Sequence, residues 1–130
     1  MANADSVADA VLSFLDVAAD LYEVAVAIHT HRTPALVNCD VPRLSAVLAA
    51  AVERLRAATT STHHGPDGID GLGRSCAKLG LDLLVRLDRV HGFQKAHDTG
   101  AGLRAAWPVA AVEALADRID TMQQGLSVLT

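Results

Sequence analysis

Four stretches of this chain repeat apolar residues at intervals of three and four, and no segment alternates apolar with polar residues as a half-buried strand would. In the first, residues 5–31, Val7, Val11, Phe14, Ala18, Leu21, Ala25 and Ile28 fall on one side of a helix turning about 100° per residue. Asp5, Asp9, Asp16, Asp20 and Glu23 fall on the opposite side, within an arc of about 60° by the same geometry. Early aspartates suit the positive end of the helix dipole, and Asp5 or Ser6 is placed to cap it. A helix divided in this way cannot bury its stripe alone and needs other helices to do so.

Three breaks separate the four patterns. Residues 32–39, with Pro34 and Asn38, make the first. Asp40, two places before Pro42, then serves as cap for a second helix whose stripe is Leu44, Val47, Leu48, Ala51, Leu55 and Ala58. Ala49, Ala50, Ala51, Ala57 and Ala58 let a neighbouring helix come close. The run TTSTHHGPDGIDG, residues 59–71, reads as a loop from its Gly-Pro and Asp-Gly pairs. The third helix, residues 70–91, carries Leu72, Cys76, Leu79, Leu83, Leu87 and Val90, widened by Leu84. Gly80 interrupts it at a cost of about 1 kcal/mol relative to Ala. Residues 91–102, HGFQKAHDTGAG, form the third break, with Phe93 folding back onto the core.

The last helix opens at Pro108 and runs through Val109, Val112, Leu115, Ile119, Met122, Leu126 and Leu129. Proline is tolerated in a first helical turn and disfavours helical geometry at the residue before it. Trp107 therefore ends a short turn over residues 103–107 and points inward, plugging the end of an aliphatic core. Trp107 and Pro108 read as a structural corner. The expected fold is all-α: an antiparallel four-helix bundle with a short extra helical turn before the last helix, one domain over residues 1–130.

Composition narrows the function. Hydrophobic residues make up 51% of the chain but aromatic ones only 3%, so the core is built from Leu, Val, Ile and Ala. The net charge is −4 and no Lys/Arg cluster occurs, which argues against nucleic acid as a partner and against long-range attraction to an anionic membrane. Polar residues interrupt every apolar run well short of the roughly 18 needed for a transmembrane helix. Aspartates stand where a secretory signal would be basic, which points to the cytoplasm. Cys39 and Cys76 lack metal-ligand spacing and read as reduced thiols, Cys76 in the core.

No motif announces chemistry. His29 and His31 do not share a helix face, His63 and His64 lie in a Gly-Pro loop, and His91 and His97 flank the third break. The acidic arc of the first helix is opposite the apolar stripe, whereas metal-binding carboxylates of bundles project into the core, with Glu-x-x-His segments that this chain lacks. GIDGLGR has neither the Lys-Ser ending of a P-loop nor a preceding strand. No nucleophile, base and acid form a set. The reading is a non-enzymatic chain with no cofactor and no metal.

The runs GLGRSCAKLGLDLLVRLDRV, residues 71–90, and GLRAAWPVAAVEALADRIDTMQQGLSVL, residues 102–129, resemble the amino-terminal helical domain of fungal NLR-like proteins, the NACHT or NB-ARC NTPases with repeats behind them. Leu103 and Trp107 match that family's short Trp segment; Val112, Leu115, Arg118 and Ile119 match the following helix; Cys76, Leu79, Leu83 and Leu84 match the preceding one. FLDVAADLYEVAVAIHT, residues 14–30, resembles its first helix.

The resemblance implies a HeLo-like, MLKL-type bundle at the start of a longer immune or incompatibility receptor. Such a domain oligomerises on activation and promotes membrane-directed cell death through its first helix. Val7, Val11, Phe14, Leu21 and Ile28 would then form the membrane or oligomerisation face, with a second copy, a partner domain or lipid as its counterpart. Only Lys95 and Arg104 lie in residues 91–104, where that family is more basic. The competing expectation is an adaptor that binds a partner protein through helix faces without touching lipid.

Overall fold

The computed structural model describes residues 4–30, 40–60, 68–95 and 101–129, and among them every regular element is a helix. In chain order these are α1 (Ala4–His29), α2 (Val41–Thr60), α3 (Ile69–Lys95), the short α4 (Ala101–Ala106) and α5 (Val109–Leu129). The protein is all-α over its described residues. Cys39, Pro34, Asn38, His31, His63, His64 and His97, and the side chains of Asp5, Ser6, Leu103 and Leu129, lie outside what is described.

Local chemistry explains how the helices begin. Asp40 accepts the backbone N–H of Arg43 on its Oδ1 at 3.1 Å, while its own carbonyl accepts from Leu44 at 3.0 Å. That side-chain bond satisfies one of the amides that a helix start leaves without an internal partner. Gly68, at φ +91°, turns the chain into α3 in a conformation that side chains rarely adopt, and its carbonyl accepts from Leu72. Pro108 fixes the corner before α5: Ala106 closes α4, Trp107 is non-helical, and the Pro108 carbonyl receives the amides of Ala111 and Val112.

Two boundaries differ from those read in the sequence. The break placed at residues 59–71 is narrower, because α2 runs to Thr60 and α3 starts at Ile69. Thr59 is buried, and its hydroxyl donates back to the Leu55 carbonyl at 2.9 Å, so a polar residue that read as loop is satisfied within the helix. The third helix continues past residue 91 to Lys95, and half-buried Phe93 meets the core from the helix itself rather than from a returning loop. Apolar contact from one more turn outweighs the local glycine and polar signals.

Helices α1 and α3 touch each other, and both touch α2 and α5. Their apolar stripes enclose a single core that runs from Val7 on α1 to Leu126 on α5. Phe14, Leu21, Leu48, Leu55, Leu87 and Trp107 are its largest fully enclosed side chains. Glycines set how closely α3 approaches. A β-carbon at Gly73 would meet Thr59 Cγ2 at 2.7 Å and Val7 Cγ1 at 3.0 Å; one at Gly80 would collide with Val52 and meet Phe14 Cε1 at 3.0 Å. The two glycines stand two turns apart on α3, and so do their partners, Thr59 and Val52 on α2 and Val7 and Phe14 on α1.

Candidate functional site

Every residue of the candidate membrane or oligomerisation stripe faces the interior. Val7, Val11, Phe14 and Leu21 are fully buried and Ile28 is 3% exposed. The stripe is the inner wall of the core, and Asp9, Asp16, Asp20 and Glu23 face solvent behind it. Trp107 is also fully buried, whereas Pro108 is exposed.

The corner at Trp107 is held from two directions. His29, at the end of α1, donates its Nε2–H to the Trp107 carbonyl, and Arg86 on α3 donates from Nη1 to the Ala106 carbonyl at 3.2 Å. The last carbonyls of a short helix have no intrahelical partner, and these two side chains supply one. The same arginine leads into a cleft between α3 and α5.

That cleft is a cavity of about 300 Å³. Leu79, Leu83, Ala111 and Leu115 line its floor, Trp107 lies at one end, and Arg86, Arg89 and Arg118 surround it, with Asp82 the only carboxylate among its described lining residues. Among the described residues the one ion pair is Arg56 with Glu53, so these three guanidinium groups have no carboxylate within ion-pair distance. Val85, on the α3 rim, is 55% exposed. Beyond Arg118 the seam continues into a second hollow lined by Leu72, Ser75, Asp117, Thr121 and Met122.

Cys76 lies beneath this seam, its thiol donating to the Met122 sulfur at 3.5 Å. Burial pushes its pKa up to about 12, while the positive charge of Arg118 acts in the opposite direction. It is a protonated, packed thiol without nucleophilic character.

A crevice of about 700 Å³ lies between α1 and α5. Leu12, Leu15 and Leu126 line it together with Asp9 and Asp16, and Leu12 is 52% exposed. Among the described residues, neither this crevice nor the α3–α5 seam brings a histidine and a carboxylate together. Among the described residues no three His, Cys, Asp or Glu side chains approach closely enough to hold a metal ion, and no helix is long and apolar enough to cross a membrane. His91 Nδ1 is buried without a hydrogen-bond partner among the described residues.

No family model, curated protein or solved structure matches this chain.

Sequence reasoning missed the cleft. Arg86 and Arg89, three apart on α3 and interleaved with Asp82 and Asp88, form no basic run in the sequence, and nothing local placed Arg118 of α5 opposite them. Leu12 did leave a signal: it is the large apolar residue that departs from the α1 stripe, one turn from Asp9 and from Asp16.

Proposed function

We propose that the chain is a non-enzymatic interaction module, an antiparallel four-helix bundle that receives an acidic amphipathic helix in the cleft between α3 and α5. The bundle topology is supported by the glycine contacts. Along α3, Gly73 and then Gly80 meet α2 in descending order, at Thr59 and Val52, and α1 in ascending order, at Val7 and Phe14. His29 meeting Trp107, together with the crevice lined by both Asp9 and Ser127, supports an antiparallel pairing of α1 with α5.

The observation that carries the functional reading is the cleft: an apolar floor ringed by three guanidinium groups that have no ion-pair partner among the described residues. A helix laid in such a groove places leucines on the floor and glutamates on the arginines, which bind carboxylates bidentately and are less strongly hydrated than lysine. The order of the Cys76 helix, the Trp107 segment and the Arg118 helix supports placing the module at the start of a fungal NLR-like receptor in the cytoplasm. In that setting the incoming helix would be a signalling partner. Membrane-directed cell death would require α1 to leave the core and expose Val7, Val11, Phe14, Leu21 and Ile28.

A backbone-amide NMR titration tests this reading. A 20-residue Leu/Glu amphipathic peptide should perturb amides clustered around Val85, Arg89, Ala111 and Arg118, and Arg89→Glu should remove the effect. No localised shift with the peptide overturns the cleft as a docking site. Leakage from anionic vesicles, with shifts along α1 and none from the peptide, overturns it in favour of the membrane-directed role.

A further inference from the structure

The α3–α5 cleft and the α1–α5 crevice lie on opposite flanks of α5 and differ in sign. On α3, exposed Val85 stands beside Arg86 and Arg89, with Arg118 across the cleft; allowing for Asp82, the site keeps a net positive charge. On α1, exposed Leu12 stands between Asp9 and Asp16, and Asp20 and Glu23 extend the acidic face along the helix. Each patch thus has a large exposed aliphatic side chain; the one on α1 stands among aspartates, and the one on α3, with Asp82 and Asp88 nearby, borders a cleft whose net charge is positive. The acidic surface is itself the outer face of an amphipathic helix, the class of element that the cleft suits.

We propose that the occupant of the α3–α5 cleft is the outer face of α1 from a second copy of this chain. Leu12 packs toward Val85 and the cleft floor, and Asp9 and Asp16 meet Arg89 and Arg118 of the other copy. This rests on the cleft being a docking site, and it adds the identity of the partner. The contact joins unlike patches, so a copy that has donated its α1 face keeps its own cleft open for the next. The buried stripe of α1 is not used, and each copy docks with its core closed. The contact is assembled from exposed charges at the rim of small apolar surfaces, so it strengthens with protein concentration and weakens with salt.

Sedimentation equilibrium of the full chain at several concentrations, at low and at high salt, tests the proposal. The mass average should rise with concentration at low salt and fall back toward one chain at high salt. Arg89→Glu and Asp16→Arg, both at exposed positions, should each weaken association at least about tenfold, because each places like charges opposite one another. Circular dichroism melting of both variants should match the parent, which separates lost contact from lost fold. Mixing the two variants should restore association, since the intact cleft of one then meets the intact acidic face of the other. A parent chain that stays monomeric at every concentration overturns the proposal, as does association that both variants leave unchanged or a mixture that fails to associate. Peptide binding in the cleft together with a monomeric parent removes the second copy as occupant and leaves the docking site standing.

Discussion

Gly80 sets its bare α-carbon so close to Val52 that no β-carbon fits between α3 and α2 at that level. In an open helix, glycine to alanine gains about 1 kcal/mol from propensity. Here the new methyl group would be forced onto a β-branched side chain with little rotamer freedom, and onto Phe14 at 3.0 Å. Overpacking costs about 1–3 kcal/mol, so Gly80→Ala should be destabilising by roughly 1 kcal/mol net. Urea unfolding reads this directly; a midpoint raised above that of the parent would mean that the helices are not in such close contact.

His29 ties α1 to the corner through the Trp107 carbonyl. His29→Ala should cost about 1 kcal/mol for the lost bond. Because Trp107 is the only tryptophan, its fluorescence reports on this corner alone. The emission should shift to longer wavelength in the variant as water reaches the indole. An unchanged spectrum and unchanged stability would show that the bond holds nothing in place.

Trp107→Ala removes the largest enclosed side chain of the core. A loss of about 3–5 kcal/mol is expected from the cavity it leaves. Pro108→Ala, at an exposed neighbouring position, should change stability by less than about 1 kcal/mol. Comparable losses for the two would show the corner to depend on backbone geometry more than on the indole.

Cys76 makes stability depend on alkaline pH. The thiol ordinarily ionises near 9.0, and in the fold it does so at about 12. Below pH 9 both states keep the proton and nothing changes; between these values the unfolded chain gives it up first, so it binds fewer protons than the native one and stability falls as pH rises. Chemical denaturation at pH 8 and pH 10.5 should therefore show a steeper decline in the parent than in Cys76→Ala. Thiol reagents at neutral pH should label Cys76 only after denaturant is added; equal labelling in native protein would contradict its burial.

Asp40→Ala removes the cap of α2 and should cost about 1 kcal/mol, with Asp40→Asn nearly neutral because its amide oxygen can accept the same Arg43 amide. Thermal melts of the two variants side by side decide whether the cap or the charge matters.

Much of the architecture was legible because the signals were periodic. Most of the stripe residues of α1, α2, α3 and α5 read from intervals of three and four are enclosed by the core, including Phe14, Leu55, Cys76 and Leu115, but Val47 of α2 and Val109 of α5 are exposed, each at the edge of its stripe. Gly80 was legible only as a weakness, since close approach between helices is a property of three elements and not of one. The same limit hid the cleft: Arg86 and Arg118 belong to helices whose pairing and relative height the periodicity of each does not specify. Thr59 and Phe93 misplaced two helix ends because tertiary contact overrode local turn preference.

Gly73 and Gly80 work together as notches on a ratchet bar. Sliding α3 by one turn would bring Ala77 or another side chain to levels where Val52 and Val7 leave room for a hydrogen atom alone. The trio α1, α2 and α3 is thereby indexed to one setting and should respond to stress as a single block. Gly125 of α5 has looser surroundings: a β-carbon there would sit at 3.7 Å from Leu72, an ordinary contact. Among the described helices the one left freest to shift is therefore α5, swinging about the Trp107–Pro108 elbow and opening or narrowing the seam where the arginines stand.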